Sequence, residues 1–93
     1  MWYVYMLECE DNSIYVGIAQ DVEQRFGQHQ LGIGGHYTAF ISRPTKILYT
    51  EKFRFKLHAE NREIQIKKWT REKKLALAHG NLERLKSLSI SRD

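Results

Sequence analysis

The chain carries a single cysteine, Cys9, which excludes a disulfide framework within it and suits a reducing compartment. Set in a predicted strand, that thiol reads as a small buried apolar group. Long hydrophobic runs are missing. The apolar opening is broken by Glu8 and Glu10 after seven residues, so neither a signal peptide nor a membrane span can be built from it, and the cytoplasm is the expected location. Paired metal ligands are missing too: Cys9 and His36 have no companions at zinc spacing. The glycine cluster Gly32-Ile33-Gly34-Gly35 has no Gly-Lys-Ser/Thr and no third glycine after a strand, which excludes a phosphate loop and a dinucleotide fingerprint and leaves a flexible connection. No internal repeat and no low-complexity tract is visible.

What is present is an ordinary globular composition. Of 93 residues, 42% are apolar and 28% charged, enough for one domain that folds alone. The net charge of +4 is a mild bias toward nucleic acid.

The N-terminal third is the most informative. Trp2 to Glu8 is aromatic and β-branched with almost no polar interruption, the pattern of a strand covered on both faces. Asp11-Asn12 is turn chemistry, and Ser13 to Ala19 reads as a second strand pairing with the first as a hairpin. Register decides which face each tyrosine takes. A two-residue loop would put Tyr5 and Tyr15 on opposite faces; a three-residue loop or one bulge puts them on the same face, and that is the expected case. Asp21 is an N-cap with Gln24 at the capping-box position, for a helix through Phe26 to about Gln30. Val22, Phe26 and His29 share one face of it, with Arg25 beside His29.

Beyond the loop to Pro44, Thr45 to Phe53 reads as a third strand with Ile47, Tyr49 and Glu51 facing one way. A second helix is expected from about Leu57 to Ala78, with Ala59, Glu63 and Ile66 on its inward stripe. A carboxylate there is costly unless something compensates it. Gly80 is a C-cap, and Asn81 opens a last helix through Leu82, Leu85 and Leu88. The domain is expected over residues 1–88, with 89–93 a frayed tail.

The inward polar set is Tyr5, Tyr15, Arg25, His29 and Glu63. Two phenols, a guanidinium, an imidazole and one carboxylate suit phosphodiester cleavage. One carboxylate with waters and a phosphate oxygen is a typical Mg²⁺ arrangement, Arg can hold a phosphate with paired hydrogen bonds, and a phenol or imidazole can take a proton from water. Plainer roles compete with these: core aromatics for the tyrosines, an Arg25–Glu63 ion pair, and a solvated face for the basic cluster around Lys67, Lys68, Arg71 and Lys74.

These residues also carry a resemblance. Tyr3-Val4-Tyr5 and Tyr15-Val16-Gly17, followed by Arg25, His29 and Glu63 within REIQIKKW, resemble the GIY-YIG nuclease family, in its small stand-alone bacterial form and like the N-terminal domain of the excision-repair incision subunit. The similarity runs from Trp2 to about Leu88; each motif is weak alone, and their order and spacing together are specific. The resemblance implies an α+β fold, a central three-stranded antiparallel sheet flanked by helices. It implies a metal-dependent endonuclease hydrolysing phosphodiester bonds in DNA, in repair or recombination. Tyr5 and Tyr15 would bracket the attacking water, Arg25 steady the phosphate, His29 relay a proton or bond a tyrosine, and Glu63 hold Mg²⁺ or Mn²⁺. Gly17 is the motif glycine, Asn81 stands for the family's late asparagine, and Lys67, Lys68, Arg71 and Lys74 would meet nucleic acid. Where the family usually places basic residues, this chain has Ala39-Phe40-Ile41-Ser42, so Phe40 and Ile41 could meet a protein partner. The alternative is a nucleic-acid-binding module of the same fold with little or no catalytic activity.

Overall fold

A computed structural model describes residues 1–31 and 42–90. Gly32 to Gly35, His36 and the Phe40-Ile41 pair fall outside these residues.

Among the described residues three strands form one antiparallel sheet in the order β2-β1-β3, with β1 (Trp2–Cys9) central, β2 (Ile14–Ala19) at one edge and β3 (Pro44–Phe53) at the other. The hairpin closes through three residues. The Cys9 N–H donates to the Ser13 carbonyl, the Asn12 N–H donates to the Cys9 carbonyl, and Asn12 adopts φ +69°. A left-handed residue at the end of a three-residue loop is the usual way to keep the strands' twist, and Asn tolerates it. The resulting register sets Tyr5 opposite Gly17 and Leu7 opposite Tyr15, so both tyrosines lie on one face, as the sequence predicts.

Four helices among the described residues flank the sheet: α1 (Val22–Gln30), α2 (Lys56–Lys67), α3 (Arg71–Ala78) and α4 (Leu82–Ile90). The Asp21 carboxylate caps α1 by accepting from the Gln24 N–H at 3.0 Å. Val22 and Phe26 of α1 lie against Tyr5, Leu7 and Ala19. Ala59 and Ile66 of α2, both fully buried, close the opposite face over Val4, Met6 and Val16. β1 is therefore covered on both sides, which explains its nearly unbroken apolar run.

Two expectations are corrected. β3 slips in register against β1 between Met6 and Leu7, so Tyr49 and Glu51 pair with Met6 and Val4 whereas Ile47 pairs with Leu7. Ile47 consequently packs with Tyr5 and Leu7, on the face away from Tyr49. The second helix, read as continuous from Leu57 to Ala78, is two helices. The chain turns at Lys68 and Trp69, and the Thr70 hydroxyl accepts from the Lys73 N–H at 3.2 Å to cap α3. Trp69 in the turn packs on the Val4–Met6 core, between the cations of Arg62 and Lys73.

At the end of α3, Gly80 adopts φ +69°; its N–H donates to the Leu77 carbonyl and the Asn81 N–H to the Ala76 carbonyl. That is the Schellman pattern, in which glycine meets no Cβ penalty. Asn81 then caps α4 through its side-chain oxygen, which accepts from the Arg84 N–H at 3.0 Å. α4 continues to Ile90, so the backbone of Ser89 is helical, and residues 91–93 lie outside the described chain. Among the described residues no helix is long and apolar enough to cross a membrane.

Candidate active site

The site grows out of one close approach. Tyr5 sits on the central strand with its ring over Gly17 on the edge strand. A Cβ at position 17 would lie 2.7 Å from the Tyr5 phenol oxygen and 2.8 Å from the ring carbon that bears it. Any side chain there would push the ring away, so glycine is the residue that lets the two strands share this space.

The phenol oxygen of Tyr5 lies 3.0 Å from Nε2 of His29, on the last turn of α1; the phenol donates when the neutral ring carries its proton on Nδ1. Both residues are 1% exposed. Tyr15 completes the cluster, with its ring edge-on to His29 at 4.9 Å between centroids and 6.1 Å from Tyr5. Helix position explains the assembly: Val22, Phe26 and His29 recur on the buried stripe, and a helix capped at Asp21 points that stripe at the hairpin.

Electrostatics divide the labour. Burial pushes the Tyr5 phenol well above the ordinary range, the neighbouring Tyr15 adds to this, and the Arg25 guanidinium opposes it. Burial, then the Arg25 charge, holds His29 below its ordinary value, so the ring is neutral at neutral pH. Tyr5 thus holds its proton, and the imidazole stays neutral with Nε2 engaged by the phenol. Arg25, half-buried one helical turn before His29, lies close enough to bias both.

Tyr15, half-buried, opens onto a groove of about 270 Å³ lined by Ile14, Tyr15, Val16, Lys67 and Lys74. A second groove of about 290 Å³ shares Ile14 and Lys74 and continues to Asp11, Asn12, Ser13 and Arg71 at the hairpin turn. The two run along the outer edge of β2, where α2 and α3 reach round from the opposite face.

Glu63 stands on α2, half-buried, with its carboxylate 3.3 Å from Lys67 Nζ. The ion pair considered with Arg25 is thus formed with Lys67. As a metal ligand it is a lone carboxylate: among the described residues no group of three or more His, Cys, Asp and Glu converges. One oxygen ligand with the remaining positions left to water and phosphate is compatible with a hard divalent cation, so the donor chemistry fits.

The basic cluster separates into different roles. Arg71 ties α3 to the hairpin, donating to the Asn12 carbonyl and lying 3.9 Å from Glu8. Lys74 is partly desolvated, which lowers its ionisation range. Lys68 is exposed. Asn81 acts as a helix cap in an exposed position. The groove-lining residues Ile14 and Val16 escape sequence reasoning, since alternate apolar residues in a strand signal packing before they signal an edge.

Residues 1–76 match the model of the GIY-YIG catalytic domain. A UPF0213 protein of Staphylococcus saprophyticus is 44% identical over 75 residues, covering 81% of this chain and 90% of the relative, and a UPF0213 protein of Staphylococcus aureus is 43% identical over the same length. The solution NMR structure of a UPF0213 protein from Bacillus halodurans superposes with a TM-score of 0.53 at 36% identity, covering 85% of this chain and 84% of that one. The motif tyrosines and Gly17, Arg25, His29 and Glu63 all fall inside the matched span. The chain therefore belongs to the GIY-YIG nuclease family and is similar to its small UPF0213 proteins.

Proposed function

We propose that this protein is a metal-dependent endonuclease that hydrolyses phosphodiester bonds in DNA. The observation that carries the reading is the buried Tyr5–His29 hydrogen bond at 3.0 Å with Tyr15 against it, because a core packed only for stability has no need of two phenols converging on an imidazole. Tyr15 is the phenol that meets the attacking water, since it lines the groove while Tyr5 is enclosed. His29, kept neutral by burial and bonded to Tyr5, packs edge-on against Tyr15 and positions that phenol beside the water. Tyr5 fixes the orientation of the imidazole, and Arg25 steadies charge on the phosphate. Glu63 is the residue that would hold Mg²⁺ or Mn²⁺, which supplies Lewis-acid charge to the phosphate when bound. Lys67 and Lys74 are the cations next to Tyr15 that meet the nucleic-acid backbone.

The test compares wild type with Glu63→Ala on plasmid, single-stranded and branched DNA, in Mg²⁺, in Mn²⁺ and with chelator. Cutting in metal, silence in chelator and a folded but inert Glu63→Ala are expected. Two inert proteins would overturn the nuclease reading. Binding that weakens steeply with salt, the mark of contact with about four to six phosphates, would then favour the nucleic-acid-binding module.

A further inference from the structure

Lys67 is the residue of α2 shown both at Glu63 and at the groove beside Tyr15. Its Nζ is 3.3 Å from the Glu63 carboxylate, yet the residue also lines the groove beside Tyr15. The lysine side chain is 54% exposed and the glutamate 19%, so the lysine is the partner free to swing. We infer that Lys67 is a positioning residue that occupies Glu63 in the free protein and transfers to a backbone phosphate seated in the groove beside Tyr15, so that nucleic acid and divalent cation bind cooperatively. The inference rests on the nuclease reading above, with Glu63 as the metal-holding residue.

Three observations support it. First, the charged groups lining this groove among the described residues are both lysines, Lys67 and Lys74, whereas the adjoining groove at the hairpin turn includes the Asp11 carboxylate. An anion is therefore favoured at the Tyr15 end. Second, the fold has already stripped water from Lys74, so a phosphate there meets a cation with less hydration to lose. Third, the Glu63–Lys67 pair is weak enough to be exchanged. A Glu-to-Lys pair one helical turn apart on a solvated surface is worth only about a twofold change in equilibrium. Lysine carries its charge on a rotatable four-carbon stem, which suits a group that changes partners, whereas Arg71 is held by Glu8 and the Asn12 carbonyl.

Linkage makes the inference measurable: if phosphate draws Lys67 off Glu63, nucleic acid raises metal affinity and metal raises nucleic-acid affinity by the same factor. The experiment is calorimetric titration of the full chain with Mn²⁺, with and without a short single-stranded oligonucleotide of phosphorothioate linkages, for wild type, Lys67→Gln, Lys74→Gln and Glu63→Gln. Circular dichroism confirms that each variant is folded. Lys67→Gln should tighten Mn²⁺ binding to the free protein about twofold and abolish most of the further tightening that the oligonucleotide produces in wild type. Lys74→Gln should weaken the oligonucleotide several-fold while leaving Mn²⁺ affinity of the free protein unchanged. A Lys67→Gln protein that matches wild type in both Mn²⁺ titrations would overturn the inference while leaving Glu63 as the metal holder. A Glu63→Gln protein that binds Mn²⁺ as tightly as wild type would overturn both.

Discussion

On one face of β1, Val4 and Met6 meet Val16, Ala59 and Ile66, and the polar groups around them gather at the rim, where Arg62 bridges Glu51 and Gln65. On the other face, Tyr5 stands above Leu7 and meets Gly17, Tyr15 and His29, so an imidazole and a phenol are enclosed among apolar neighbours. The same strand serves both. The α2 face is held by shape and burial, which tolerate similar volumes. The α1 face is held by a hydrogen bond and by a ring lying so close over Gly17 that a Cβ there would be 2.7 Å from the phenol oxygen. Apolar burial dominates the first face, and the second encloses the hydrogen-bonded phenol and imidazole.

Four substitutions or conditions can break this comparison, from the largest effect to the smallest. Ile66→Ala empties a fully buried position on the α2 face and should cost about 2–5 kcal/mol in urea unfolding, while the folded fraction keeps the NMR titration of His29 unchanged. A shifted His29 titration would mean that the two faces are coupled. Gly17→Ala places a methyl group against the enclosed Tyr5 ring and should cost about 1–3 kcal/mol, with the Tyr5 and His29 resonances displaced. Unchanged resonances would show that the ring can give way and that glycine is dispensable there.

Tyr5→Phe keeps the ring and removes one partner of His29. A loss of about 1 kcal/mol is expected, smaller than for Ile66→Ala, together with a change in the imidazole tautomer visible in its ¹⁵N shifts. The last test is pH. His29 in the folded protein lies below its ordinary value of 6.5, so as pH falls below that value the unfolded chain takes up a proton that the native state resists. Stability should be fully present above about pH 6.5 and decline toward the lowered native value, and His29→Gln should flatten that slope. A melting temperature that rises on acidification through this window would contradict the buried neutral imidazole.

Much of the site is legible in the residues alone. The order Tyr5, Tyr15, Gly17, Arg25, His29 reads directly from residues 2–29, because a hairpin and a capped helix so close in sequence have few ways to pack. A turn at Asp11-Asn12 is legible, and the three-residue loop expected there, with both tyrosines on one face, is the one formed. Two features are hidden. The break between α2 and α3 has a local signal in Thr70 ahead of Arg71-Glu72-Lys73, but the basic helical pattern runs across it, and Trp69 turns inward only because a core is there to receive it. The partner of Glu63 is also open, since Arg25 and Lys67 are both cations within reach of an inward carboxylate in a sequence pattern.

The sequence by itself determined the turn at Asp11-Asn12, the Asp21 cap of α1 and the glycine stop at Gly80, since each depends on backbone groups within a few residues of one another. Tertiary structure alone decided that Ile47 turns away from Tyr49, that Trp69 turns inward onto the core, and that the edge of β2 becomes a groove with cations from α2 and α3. A bulge, an inward-turned tryptophan and a groove each depend on which distant side chain arrives opposite, and that choice is made when the elements pack.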